Sequence, residues 1–198
     1  MSASIAVTIV NKLSSNLNYQ KGKFVASEFV SEIWEMYSAT HKSDNNINGK
    51  VFEEIIAMAL VKSDLMPFYM QANVAFIPNV NYDFILYDDA SLVSLSAKVS
   101  LRERWKQADL EAVALRYIHR KSKSFVITMN EREAAARNAK ISECMGINSF
   151  VVATSKNFDQ LIAELKLTKF KLSPTFEVVT SKTIIDSSTA ASRYKSEQ

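Results

Sequence analysis

Cysteine, glycine, proline and histidine are all scarce in this chain, and each shortage removes a class of chemistry. Cys144 is the one cysteine, so no intrachain disulfide and no cysteine-built zinc site can form. That usage fits a reducing, cytoplasmic setting. Three glycines leave no phosphate-cradling loop and no dinucleotide fingerprint. Three glycines and three prolines also leave no Gly/Pro linker, so residues 1–198 read as a single domain. His41 and His119 stand far apart, without metal-type spacing, and give no support to a Cys-His or Ser-His-Asp arrangement. Long apolar runs are missing too. The stretch Ile5 to Val10 has no basic residue before it and is too short for a secretory signal or a bilayer span. It reads as an early strand, and no membrane partner is expected.

What is present is ordinary globular material. The chain has 198 residues, 47% hydrophobic and 23% charged, enough for one sizeable core. A formal charge of +3 permits nucleic-acid binding without arguing for it. The local clusters Arg102 to Lys106 and Arg116 to Lys123 matter more.

Helical spacing of apolar residues predicts a helix over Lys23 to Ser38, then a turn at Ser43-Asp44-Asn45-Asn46. A second helix is expected over Gly49 to Lys62, with Asn48 as N-cap. Three strands follow: Phe68 to Ile77, Tyr82 to Tyr87 and Leu92 to Ser100, the last two joined by an Asp88-Asp89 turn. Helix and strand then alternate: Glu103 to His119, Phe125 to Met129, Glu131 to Cys144, Phe150 to Thr154, and Asn157 to Leu165. From Asp186 the chain turns polar, and 185–198 read as a flexible tail. The order implies an α/β fold, a mixed central sheet with helices on both faces.

Alternation along the third strand puts Ser94, Ser96 and Lys98 on one face and Val93, Leu95, Ala97 and Val99 on the other. A lysine on a half-buried face needs a partner. Asp83, early in the preceding strand, can approach it across a short antiparallel turn. Glu111 lies thirteen positions after Lys98, two turns inside the next helix, and reaches the same place if that helix packs over the sheet. Such a group suits metal-assisted hydrolysis, with Asp83 and Glu111 holding Mg²⁺ through oxygen and Lys98 orienting the attacking water. Each residue also has an ordinary reading: a turn aspartate, a solvated lysine, a surface glutamate.

The string Pro78…Asp83…Ser96-Ala97-Lys98…Glu111 resembles the PD-(D/E)xK nuclease pattern in its migrated-carboxylate form, found in the CCGG family of type II restriction endonucleases. Ser100-Leu101-Arg102-Glu103-Arg104-Trp105-Lys106-Gln107 is similar to the segment that follows the catalytic lysine in the branch cutting CCNGG or CCWGG sites. The likeness covers Asp83 to Glu111 strongly and the rest weakly. It implies a restriction-endonuclease-like core, Mg²⁺ as cofactor and double-stranded DNA as substrate. It also implies a supporting glutamate on the second helix; Glu53 is preferred, with Glu54 left open. Two departures stand out: Asp83 lies five residues after Pro78, and the chain is short for the family.

Arg102 and Arg104 can each present a planar fork to guanine O6 and N7, and Glu103 can accept from cytosine N4, which suits a CC/GG half-site. A continuous helix would splay these three, so the triplet is expected at the strand-to-helix junction. A palindromic site implies a homodimer. Trp34 is expected in core or dimer packing, or stacked on an extruded central base. The rival readings are a repair or junction-resolving nuclease on the same scaffold, a non-catalytic DNA-binding module, and an α/β protein with another partner.

Overall fold

A seven-stranded mixed sheet runs through the centre of the protein. The computed structural model describes residues 4–15, 17, 24–41, 44–174 and 179–194. The strands are β1 (Phe68–Val74), β2 (Tyr82–Asp88), β3 (Ser91–Lys98), β4 (Lys123–Thr128), β5 (Ser149–Val152), β6 (Val179–Thr180) and β7 (Thr183–Ile185). Their order is β5-β4-β3-β2-β1-β6, with β7 also on β1. The hairpin side, β1–β2–β3, is antiparallel, whereas β3–β4 and β4–β5 are parallel. Parallel neighbours need a crossover, and α4 (Arg104–Ile118) and α5 (Glu131–Asn138) supply them.

Helices cover both faces, as the alternation predicts. Phe84, Leu86, Val93, Leu95 and Ala97 form the main core with α1 (Ile5–Ser14), α2 (Ala26–Thr40), α3 (Asn45–Lys62), α6 (Lys156–Leu165) and α7 (Ser187–Tyr194). On the opposite face, Ile85 and Tyr87 pack with Leu115 of α4, and Val126 and Phe150 pack with Ala108, Ala112 and Ala134 of α4 and α5. The central helix is α3, apolar almost all round and buried from Ile55 to Leu60. Among the described residues no helix is long and apolar enough to cross a membrane.

Four expectations need correction. The N-terminal stretch is not a strand but α1, capped by Ser4, whose hydroxyl accepts from Val7 N at 3.3 Å. Its buried residues Ala6, Val7, Val10 and Leu13 have helical spacing; the window Ile5 to Val10 was too short to separate the two periods. Second, α3 begins a turn before Asn48, capped by Asp44, while the Asn48 side chain accepts from the Tyr37 hydroxyl at 2.7 Å. Ser43 of the expected turn and Lys23 of the expected helix lie outside the described residues. Third, the segment from 185 is no loose tail over its described length. Ile185 belongs to β7, and Asp186 accepts from Ser188 N and Thr189 N to start α7. Ala190 and Tyr194 are buried, and Arg193 pairs with Glu54 at 2.5 Å. Residues 195–198 lie outside the described set. The Glu131 helix also stops early, at Asn138, and gives way to a short 3₁₀ turn at Ile141–Glu143.

One buried carboxyl group, on Asp109, ties α4 to the segment that leads into β5. Asp109 accepts from Met145 N at 3.0 Å, Gly146 N at 2.8 Å and Ile147 N at 3.0 Å. Gly146 is required there, since a Cβ would fall 2.4 Å from Val113 N. Replacing Asp109 with alanine leaves three donors without a partner, two of them buried. The expected cost is about 3 kcal/mol in urea unfolding, and a loss under about 0.5 kcal/mol would contradict this role.

Candidate active site

Asp83 enters the site from the second residue of β2. The register pairs Phe84 with Leu95, so Asp83 falls opposite Ser96, and Lys98 sits one diagonal position further along β3. The side chains meet. Asp83 Oδ2 accepts from Lys98 Nζ at 2.6 Å, Ala97 N at 2.9 Å and Ser96 Oγ at 3.1 Å. The Lys98 and Asp83 side chains keep 17% and 10% exposure, so the pair is shielded yet reachable from solvent. It stands at the carboxyl end of β3, where β3 and β4 run parallel and Lys98 pairs with Thr128. The carboxyl ends of parallel strands are where such sheets generally open their ligand crevice.

Two more carboxylates approach from opposite helical layers. Glu111 stands on α4, which the Tyr82 hydroxyl ties to β2 by donating to Glu111 O at 3.0 Å. Glu111 Oε1 accepts from Gln107 Nε2 at 2.7 Å. Burial pushes the Glu111 carboxyl up, Gln107 and Lys98 pull it back, and Asp83 pushes it up again. Glu53 comes from α3. Burial pushes its carboxyl up to about 7, with Asp83 and Glu54 adding to the shift and Lys98 and Gln71 opposing it. Glu54 faces elsewhere, accepting from Arg193 Nη2 at 2.5 Å and from the Tyr194 hydroxyl at 2.8 Å. Glu53 is therefore the α3 carboxylate that shares this site.

Gln71 is the member that sequence reasoning missed. Continuing the β1–β2 register sets it opposite Asp83. Its φ of 49° is left-handed, inside a strand. The pleat reverses there. Phe68 and Met70 face the main core, but Ala72 and Val74 lie in the opposite cluster, as does Tyr82 across from Ala72. Opposite the same point the edge strand breaks between β6 and β7, where the Ser181 hydroxyl donates to Met70 O. The reversal lets Gln71 Nε2 reach Glu53 Oε2 at 2.9 Å while its Oε1 accepts from Asn81 Nδ2 at 2.9 Å. No pattern in Phe68-Tyr69-Met70-Gln71-Ala72-Asn73-Val74 signals this, because the apolar alternation continues unbroken through Gln71.

Three carboxylates thus share their field with one ammonium. No hydrogen bond from a described residue reaches Asp83 Oδ1, Glu53 Oε1 or Glu111 Oε2. An all-oxygen set with excess negative charge matches the donor chemistry of a hard divalent cation. Among the described residues, however, no three His, Cys, Asp or Glu side chains are drawn together closely enough to make a finished cation cage.

The triplet Arg102, Glu103 and Arg104 occupies the junction between β3 and α4, where it was expected. All three are exposed. Buried Leu101 pins the loop, its N donating to Glu133 Oε2 at 2.6 Å and its O accepting from Arg104 N at 2.8 Å. Arg102 has a φ of 39°, left-handed and unusual for an arginine. Glu103 pairs with Lys106 at 2.5 Å, and Arg104 Nη2 donates to Ser100 O at 3.3 Å. Trp34 stands apart from this loop, half-buried on α2 against Tyr37 and Phe52, with ring centroids 5.5 and 5.8 Å away. It packs against the main core.

No known protein family matches the chain, and neither a curated protein nor a solved structure does.

The Glu53 shift carries a stability signature. Its folded-state value of about 7 lies above the ordinary 4.5, so the unfolded chain gives up this proton first. The resulting penalty is absent at low pH, grows as pH rises above 4.5 and is complete above 7. Without added metal, Glu53→Gln should melt several degrees higher than the wild type at pH 8, by about 3–8 °C, and equally near pH 4. A constant difference across that range would contradict the assignment.

Proposed function

We propose that this chain is a Mg²⁺-dependent, sequence-specific endonuclease of duplex DNA, of the type II restriction class. The observation that carries the reading is the Asp83–Lys98 contact at 2.6 Å, with Glu53 and Glu111 in its field and an exposed Arg-Glu-Arg triplet at the end of the same strand. Phosphodiester hydrolysis needs a positive group where charge builds on the phosphoryl oxygens and a polar group to hold the water. Lys98 Nζ, beside Asp83 Oδ2, can do both. Glu53, with its carboxyl near 7, exchanges a proton at neutral pH and can take one from an incoming water at Oε1. Asp83 and Glu111 are the residues that would hold Mg²⁺, whose charge offsets that of the attacked phosphate and of the departing oxygen.

The reader follows from the same geometry. Exposed Arg102, and Arg104 once it leaves Ser100 O, can turn their forks to guanine, and Glu103, released from Lys106, can accept from cytosine N4. Each such contact discriminates by about 1–3 kcal/mol. The reading commits to a CC/GG-containing palindrome of CCNGG or CCWGG form, approached by a homodimer. Trp34 serves packing on this reading, with one ring face in reach of an extruded base as the alternative. A non-catalytic DNA-binding module is the second reading; what favours it is that Asp83 Oδ2 already has three donors.

Plasmid digestion in Mg²⁺, with the ends mapped by sequencing, separates these readings. Discrete fragments sharing CC/GG ends are expected. Structure-dependent nicks would point to a repair nuclease, and binding without scission to the non-catalytic module. Lys98→Ala should cut at least about a hundredfold more slowly while still shifting duplex DNA in a gel with Ca²⁺; full activity would remove Lys98 from the chemistry. Glu103→Ala should broaden or abolish site choice, and an unchanged fragment pattern would remove it from the reader.

A further inference from the structure

The loop that presents Arg102, Glu103 and Arg104 does not stand alone. Leu101 N is held by Glu133 Oε2 at 2.6 Å, so the loop is tied to the first turn of α5. Arg137 lies one helical turn beyond Glu133 and shares its face of α5. Its guanidinium carbon sits 4.5 Å from the centre of the Trp105 ring, and Lys106 Nζ lies 6.0 Å from the same centre. Two cations thus gather at one half-buried indole, two residues after Glu103.

We propose that Arg137 and Lys106, gathered at Trp105, form an anion site that grips a backbone phosphate of DNA beside the bases met by Arg102, Glu103 and Arg104. The inference rests on the DNA-cleaving reading above and deepens it. Three observations carry it. The Arg137 guanidinium makes no hydrogen bond or ion pair with any described residue, so its N–H donors are open. The acid in its field, Glu103, is paired with Lys106 at 2.5 Å, and the acid on its own face, Glu133, is engaged by the Leu101 amide. Four cations, Arg102, Arg104, Lys106 and Arg137, therefore face two acids that already have partners.

The physics favours a phosphate over a base here. A ring face attracts the guanidinium and fixes its place while leaving the edge donors directed outward. A planar fork with two parallel N–H groups matches phosphate oxygens. Contacts of this kind set register and orientation on the duplex, and base contacts then specify the sequence. When DNA arrives, Glu103 has to leave Lys106 to accept from cytosine, and a phosphate beside the Trp105 ring gives Lys106 its replacement partner.

The experiment is a salt titration of binding, read by fluorescence anisotropy, with Ca²⁺ in place of Mg²⁺ and two duplexes, one carrying the cleaved site and one scrambled. Arg137→Gln should weaken both by the same factor, about tenfold. It should also lower the slope of log affinity against log salt by about one. Arg137→Lys keeps the charge, so it should restore the slope and only part of the affinity. An Arg137→Gln protein with wild-type slope and affinity, or one weakened on the cleaved site alone, would overturn the phosphate assignment. Wild-type protein that binds neither duplex at low salt would overturn the DNA reading with it, whereas normal wild-type binding beside an indifferent variant would overturn this site only.

Discussion

Everything in the site turns on three carboxyl groups that, among the described residues, share one ammonium. Lys98 is the ammonium, and Asp83 already holds it at 2.6 Å. Glu53 and Glu111 arrive from opposite helical layers into the same partly shielded field, and both carboxyls are pushed upward, first by burial and then with Asp83 contributing. A folded chain keeps such an arrangement only where the surrounding structure forces it. Here the force comes from packing: α3 is buried from Ile55 to Leu60, just beyond Glu53, and α4 is anchored by Asp109 on one side and by Tyr82 on the other. The side chains are presented by elements that apolar contacts pack against the sheet.

The sheet supplies a second constraint. Its antiparallel half delivers Asp83 and Gln71, and its parallel half begins at β3, which carries Lys98 at its end. The pleat reversal at Gln71 lies on β1, within the antiparallel half, and directs an amide onto Glu53. Beyond Lys98 the chain leaves the sheet, turns through a left-handed Arg102 and enters α4, so the Asp83–Lys98 pair and the exposed triplet are neighbours by chain connectivity alone. On the proposed reading this adjacency has a purpose: a base-contacting group that shifts on an incorrect sequence shifts the end of β3 with it.

Local features were legible in the sequence, and long-range ones were not. The Asp83–Lys98 encounter could be read because β2 and β3 are joined by a tight turn, which leaves the register little choice. The serine-lysine face and the apolar face of β3 follow from simple alternation. The position of the Arg-Glu-Arg triplet followed from where the alternation stops. The choice between Glu53 and Glu54 could not be made from pattern, since it is set by Arg193 and Tyr194, about 140 residues away in the chain. The same contact explains why the C-terminal helix escaped notice: α7 buries only Ala190 and Tyr194, and it docks through an ion pair rather than an apolar stripe. Gln71 was invisible because backbone handedness, not side-chain polarity, makes it part of the site.

On the proposed reading Asp83 and Glu111 hold a divalent cation, and a direct measurement bears on it. Mn²⁺ titrated into protein bound to duplex DNA, with the free ion followed by electron paramagnetic resonance, reports occupancy without any turnover. Saturable binding in the wild type that is lost in Asp83→Asn is the result this account requires. Equal free Mn²⁺ in the two proteins at every concentration would contradict it.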